Sequence, residues 1–102
     1  ALKGVSTGAT SSNNVAIGRS AMLNNTTANN NTAVGHSALM TNTTGPNNVA
    51  VGANALDANT TANSNTAVGK DSMTNNTSGI ANTAIGDNSL KSNWPAECSR
   101  RF

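Results

Sequence analysis

A 17-residue repeat runs through most of this chain. The phrase Asn-Thr-Ala-Val-Gly, or a close variant of it, occurs five times, starting at residues 14, 31, 48, 65 and 82. Four residues after each glycine stands a Met or Leu, and seven residues after it stands an Asn. A fixed period without insertions predicts one supersecondary unit stacked on copies of itself.

The period favours strands over helices. Seventeen residues at 100° each fall about 100° short of five full turns, so a repeated helical face would rotate away from any straight partner. The phrase instead alternates, with Thr66 and Val68 on one face and Asn65 and Ala67 on the other. A second short strand is predicted through Ser37–Met40, with turn residues following it. We therefore predict an all-β, parallel β-roll or β-solenoid of 17-residue coils.

Stacked coils would place identical side chains above one another. The predicted repeat core consists of the aliphatic positions Ala16, Ile17, Met22, Ala33, Val34, Leu39, Ala50, Val51, Leu56, Ala67, Val68, Met73, Ala84, Ile85 and Leu90. The predicted turn ladders are Gly18, Gly35, Gly52, Gly69 and Gly86, with Asn25, Asn42, Asn59, Asn76 and Asn93. A further Asn ladder is predicted at 14, 31, 48, 65 and 82.

The repeats divide the chain into three parts. Residues 1–13 are predicted to be a degenerate N-terminal coil or cap, residues 14–93 contain five repeats with the last incomplete, and residues 94–102 form a C-terminal cap and tail. Trp94 is expected to cover the last coil, and the following Pro95 to stop strand pairing. Because the chain has neither an initiator Met nor a signal sequence, we expect it to come from something longer.

The composition predicts a partner. Asn occurs 19 times and Thr 14 times among 102 residues, and the larger aliphatic residues are too few and too evenly spread to gather at one centre. A solenoid with so thin a coil would be only marginally stable as a single chain. Since the Ala face and the Val/Ile face of the same strand both look buried, we expect one to pack inside the coil and the other against another chain.

The repeats carrying Asn-Thr-Ala-Val-Gly-x-x-Ala-Leu and Asn-Thr-Thr-Gly-x-Asn-Asn resemble the head repeats of YadA-like trimeric autotransporter adhesins and similar repeats of phage and large-virus tail fibres. The resemblance covers about residues 14–92. It implies a left-handed parallel β-roll, three of which pack as a homotrimer. The coil here is longer than is common in the adhesin heads, which implies a longer turn at Asn-Thr-Thr-Gly.

No set of residues predicts catalysis, so we expect a protein that is not an enzyme and that has no cofactor or metal site. His36 stands alone in a variable column, and the Asp residues do not repeat as a calcium β-roll requires. The basic residues are too scattered for a nucleic-acid surface, and no apolar run is long enough to span a membrane. Arg19, Leu23, His36 and Met40 are the candidate partner contacts, because the column through Leu23 and Met40 turns from apolar to charged along the stack.

Three functions remain open. The first is a structural and adhesive fibre module, the head or shaft of a trimeric adhesin or viral tail fibre, which displays loops for multivalent binding to an unknown host or extracellular receptor. The second is a self-assembling extracellular filament, whose coil ends stack as strand edges do. The third is an ice-binding β-solenoid, suggested by the adjacent Thr columns that begin at Thr26 and Thr27. All three place the chain outside the cell, at the cell surface or on a virion.

Overall fold

The chain forms a single sheet of parallel strands that repeats every 17 residues. The computed structural model describes residues 11–91 and the backbone of residues 100–101. Its strands are β1 (Val15–Ile17), β2 (Thr32–Val34), β3 (Val49–Val51), β4 (Thr66–Val68), β5 (Thr83–Ile85) and β6 (Arg100–Arg101). Each strand pairs in parallel with the next along the chain. The predicted all-β solenoid of 17-residue coils is confirmed.

The predicted second strand is wrong. Ser37 and Leu39 have φ angles of 62° and 52°, and the backbone N–H groups of Ala38 and Met40 donate to carbonyls three residues earlier. Ala38 and its neighbour Leu39 are both fully buried, which an extended strand cannot achieve because its side chains alternate between two faces. Each coil therefore has one strand and a run of tight turns, although Leu39 N–H still donates to the next coil, to Ala55 O at 3.0 Å.

The interior of the solenoid is narrower than the sequence suggested. Its contiguous apolar core comes from three repeat positions: Ala21, Met22, Ala33, Ala38, Leu39, Ala50, Ala55, Leu56, Ala67, Met73 and Ala84, with Ala16 and Leu90 partly buried against them. The prediction that Ile17, Val34, Val51, Val68 and Ile85 belong to this core is wrong, since they point out of the coil. Each strand turns its central Ala inward, and its β-branched residues therefore lie on the outer surface.

Strand pairing continues beyond the fifth repeat. β6 pairs with β5 through Thr83↔Arg100 and Ala84↔Arg101, which keeps the spacing of 17 residues. The expectation that Trp94-Pro95 would stop strand pairing is therefore wrong. The capping role expected of Trp94 lies outside the described residues, as do Asn93 and most of the N-terminal coil.

Candidate functional site

The first buried amide column, starting at Asn14, ties each coil to the next. Asn48 Nδ2 donates to Ala62 O on the far side of the same coil at 2.9 Å, and Asn48 Oδ1 accepts the backbone N–H of Asn65 at 2.9 Å. Asn31 and Asn65 repeat both contacts, to the carbonyls of Gly45 and Gly79 and with the backbone N–H groups of the following Asn. Asn31, Asn48 and Asn65 are fully buried. One amide thus forms a hydrogen bond across its own coil and another to the next coil, which fixes the distance between the two coils.

The second amide column, starting at Asn25, stacks side chain on side chain. Asn59 Nδ2 donates to Asn42 Oδ1 at 2.9 Å, and Asn76 Nδ2 donates to Asn59 Oδ1 at 3.2 Å. Each of these amides also donates to a carbonyl three residues later, as Asn59 does to Ala62 O at 3.1 Å. Since these side chains are buried, the contacts supply Asn42, Asn59 and Asn76 with partners that water would otherwise provide, whereas Asn25 Oδ1 is buried without a hydrogen-bond partner among the described residues.

The glycine column marks a close approach of adjacent coils. The described glycines of this column have φ angles between 120° and 131°, a region that residues with a Cβ rarely adopt. A Cβ built on Gly52 would lie 2.5 Å from Gly69 O and 2.6 Å from Gly69 C. The glycines therefore allow both a backbone conformation and a close contact between coils that a residue with a Cβ would disfavour.

The outer surface of β1–β5 is an uncharged array, which we call the strand face. It consists of two columns of β-branched residues: Val15, Thr32, Val49, Thr66 and Thr83, beside Ile17, Val34, Val51, Val68 and Ile85. Val15 is 48%, Ile17 58% and Ile85 41% exposed, and the others are half-buried. Successive rows are about 4.8 Å apart, the spacing of hydrogen-bonded strands. Sequence reasoning assigned half of this surface to the core, although the alternation within each strand already separated the Val/Ile positions from the Ala positions.

The candidate partner contacts lie on a different surface, formed by the tight turns, which we call the turn face. Arg19 and His36 are exposed there, and Leu23 and Met40 are half-buried. His36 Nδ1 is 3.3 Å from Ser37 Oγ. Within the part of the chain that the structure describes, no three His, Cys, Asp or Glu side chains could hold a metal ion together.

Charged groups occupy the turn face of the later coils. Lys70 Nζ donates to Asp71 Oδ2 at 2.9 Å and Asn54 Nδ2 donates to Asp71 Oδ1 at 3.2 Å; these contacts, that of Lys70 first, hold the pKa of the Asp71 carboxyl below its ordinary value. The pKa of Asp57 is raised, mainly by partial burial and further by the charge of Asp71. The pKa values of two neighbouring carboxyls are therefore shifted in opposite directions.

Asp57→Asn is expected to raise the midpoint of thermal unfolding at pH 7, by a stability gain of at most about 1 kcal/mol for a partly exposed charge. Because the pKa of Asp57 is raised in the folded state, folding becomes more favourable as the pH falls through that pKa. The gain should therefore vanish near pH 3, where the wild-type carboxyl is protonated. Asp71→Asn is the comparison, because the lowered pKa of Asp71 contributes stability at neutral pH that is lost on acidification. Thermal melts across this pH range would contradict the assignment if both variants shifted in the same direction.

The two Thr columns differ in what their hydroxyls do. Thr26 Oγ1 donates to Thr43 O at 3.0 Å, and Thr43 Oγ1 donates to Thr60 O at 3.2 Å. The neighbouring column, Thr27, Thr44, Thr61 and Ser78, is exposed. This column, exposed in every described coil, is the Thr surface of the turns that the ice-binding hypothesis would use.

In a comparison with known proteins, no protein-family model, curated protein or solved structure matches the chain. Among the described residues, no helix is long and apolar enough to cross a membrane. The strand face and the amide ladders are therefore the features from which we infer a function.

Proposed function

We propose that this chain is a structural fibre module, a left-handed β-roll that packs through its strand face into a homotrimer and displays its turns for multivalent surface binding. The observation that carries the proposal is the strand face itself. It is a continuous, uncharged, β-branched surface on a solenoid whose other surfaces are rich in Asn, Thr and charged groups. Exposed apolar surfaces that are contiguous and rimmed by polar residues are typical of association sites.

The chemistry of the strand face favours copies of this chain as the partner. The face carries no charged group across β1–β5, whereas Arg19, Lys70, Asp71 and Asp87 all lie in the turn segments. Its rows repeat at about 4.8 Å, and another stack of the same coils has the same axial period. Packing face to face would also give each thin coil the apolar contacts that its small interior lacks.

A trimer of this kind would act as a rigid, repetitive display. The amide columns fix the distance between coils, and the turns project outward at regular heights around the fibre. Three copies of each turn would convert weak contacts with a surface into avidity. Such a role fits an extracellular module at a cell or virion surface, as a head or a shaft.

Light scattering behind a sizing column tests the proposal. The wild type is expected to have the mass of three chains, and Val51→Lys, which places a charge in the middle of the strand face, should shift the mass towards one chain. Thr44→Lys is the matched control, because it adds the same charge at an exposed position away from the face and should leave the trimer intact. A wild-type mass of one chain at all concentrations would contradict the proposal.

Ice binding is the second candidate, and the strand face supports it better than the turns do. The first column of that face, with Thr32, Thr66 and Thr83, runs beside a column of Val and Ile at a regular spacing. A monomer that shows thermal hysteresis, abolished by Val51→Lys, would favour this function. Species that grow with concentration would instead favour the filament.

A further inference from the structure

We propose that Thr32, Thr66 and Thr83 set the axial register of the assembly, by making the strand face match another copy only when equal rows meet. This inference rests on the proposed association through the strand face. A perfectly uniform ladder would be satisfied equally well after a shift of one coil, since every row would meet an identical row. Chains that shift in this way leave unpaired rows at both ends, and such staggered contacts propagate into open filaments.

The order of residues along the first column removes this degeneracy. From the N-terminal coil it reads Val15, Thr32, Val49, Thr66, Thr83. A shift by one coil places Val15 level with Thr32, and Thr32 level with Val49. It also places Val49 level with Thr66, so that only Thr66 and Thr83 still match in kind. When the rows are aligned, every Thr is level with a Thr.

The penalty for a shift comes from the buried hydroxyl. Thr and Val have nearly the same shape, so a mixed row loses little packing. A Thr hydroxyl that is covered by a Val methyl loses its hydrogen bonds to water and gains none in return. In aligned rows the partner chains' hydroxyls lie at the same height and can donate to one another. A polar residue at one position of an otherwise apolar seam fixes register in coiled coils on the same principle.

The second column contributes little to this choice. It contains Ile17, three Val residues and Ile85, so a shift changes its rows by no more than one methylene group. No charged side chain on β1–β5 could set the register instead, because the charged residues between positions 14 and 91 all lie in the turn segments. Within the strand face, the Thr/Val order is the feature that distinguishes one coil from the next.

The test compares the triple variant Thr32→Val, Thr66→Val, Thr83→Val with the wild type, by light scattering at several concentrations and by electron microscopy. The wild type is expected to have the molar mass of the closed trimer at every concentration above its dissociation constant. The triple variant should have a mass at least twofold higher at the top of the range, with elongated particles. The single variant Thr32→Val, which leaves one mixed row in place of three after a one-coil shift, should broaden the mass distribution in the same direction.

Two controls separate register from apolarity. The triple variant Thr27→Val, Thr44→Val, Thr61→Val makes the same chemical change in the exposed Thr column and should keep the closed mass. Replacing the three strand-face Thr residues by Ser retains the hydroxyls and should also keep it. A strand-face Val variant that stays a closed trimer would overturn the register inference and leave the trimer standing. A wild type that is a monomer would overturn both.

Discussion

Gly52→Ala is expected to destabilise the solenoid by roughly 2–5 kcal/mol, the sum of a backbone penalty and an overpacking penalty. The φ of Gly52 is 131°, which disfavours any residue with a Cβ. The added Cβ would also lie 2.5 Å from Gly69 O, a backbone atom that cannot move without disturbing the next coil. Because small domains are stable by only about 5–15 kcal/mol, urea unfolding followed by circular dichroism should show a large shift in midpoint.

Gly86→Ala is the matched control for this effect. Gly86 has a similar φ of 125°, but among the described residues the nearest heavy atom to its added Cβ is Ser89 Cβ at 3.9 Å. Gly86→Ala therefore carries the backbone penalty without the collision, and should cost less than Gly52→Ala by about 1–3 kcal/mol. Equal losses in the two variants would show that backbone conformation alone explains the glycine column, and would remove close inter-coil approach as a cause.

Asn48→Ala is expected to cost roughly 1–3 kcal/mol, because it leaves a buried backbone donor without its partner. This donor is the N–H of Asn65, which donates to Asn48 Oδ1; the carbonyl of Ala62 loses Asn48 Nδ2 but keeps Asn59 Nδ2. Asn48 is fully buried, so water cannot replace the amide without opening the coil. Chemical denaturation would measure the loss, and the steepness of the transition would show whether the solenoid still unfolds as one unit.

Asn14→Ala removes equivalent hydrogen bonds, to Ala28 O and from the N–H of Asn31. Asn14 is only half-buried, so water can reach the groups it leaves, and the expected loss is about half as large. If Asn14→Ala and Asn48→Ala cost the same, burial would not be the reason for the strength of the ladder.

The sequence predicted the solenoid because its period is a property of the chain itself. Spacing alone places Ala33 above Ala50 and Asn48 above Asn65, whatever the local geometry of the coil. The same periodicity could not decide how 17 residues close into a loop. The assignment of Ser37–Met40 to a strand assumed extended backbone, whereas Leu39 reaches the interior through a left-handed conformation that hydrophobic pattern does not predict.

The strand face was partly predictable from the sequence. Alternation assigned Thr66 and Val68 to one side of β4, and Asn65 and Ala67 to the other. It did not say which side was the interior, and the prediction placed both the Val/Ile and the Ala positions in the core because both are apolar. In the structure the Ala side is the interior, where the Asn amides reach carbonyls across the coil, as Asn48 Nδ2 reaches Ala62 O. The raised pKa of Asp57 was also out of reach, since it depends on burial in the folded coil and then on Asp71 of the next coil. The lowered pKa of Asp71 depends first on its sequence neighbour Lys70 and then on Asn54 of the preceding coil.

The amide of Asn48 makes its bonds within its own coil and with the adjoining one, and the same is true of Asn31 and Asn65. A whole coil could therefore be duplicated or deleted, and the polar groups at the new junction would find the same partners. Each such step would change the length of the rod by about 4.8 Å, so the number of 17-codon units in the gene would set the length of the rod. Stability in stacked repeats is close to a sum over neighbouring units, and longer descendants should be the more resistant to unfolding.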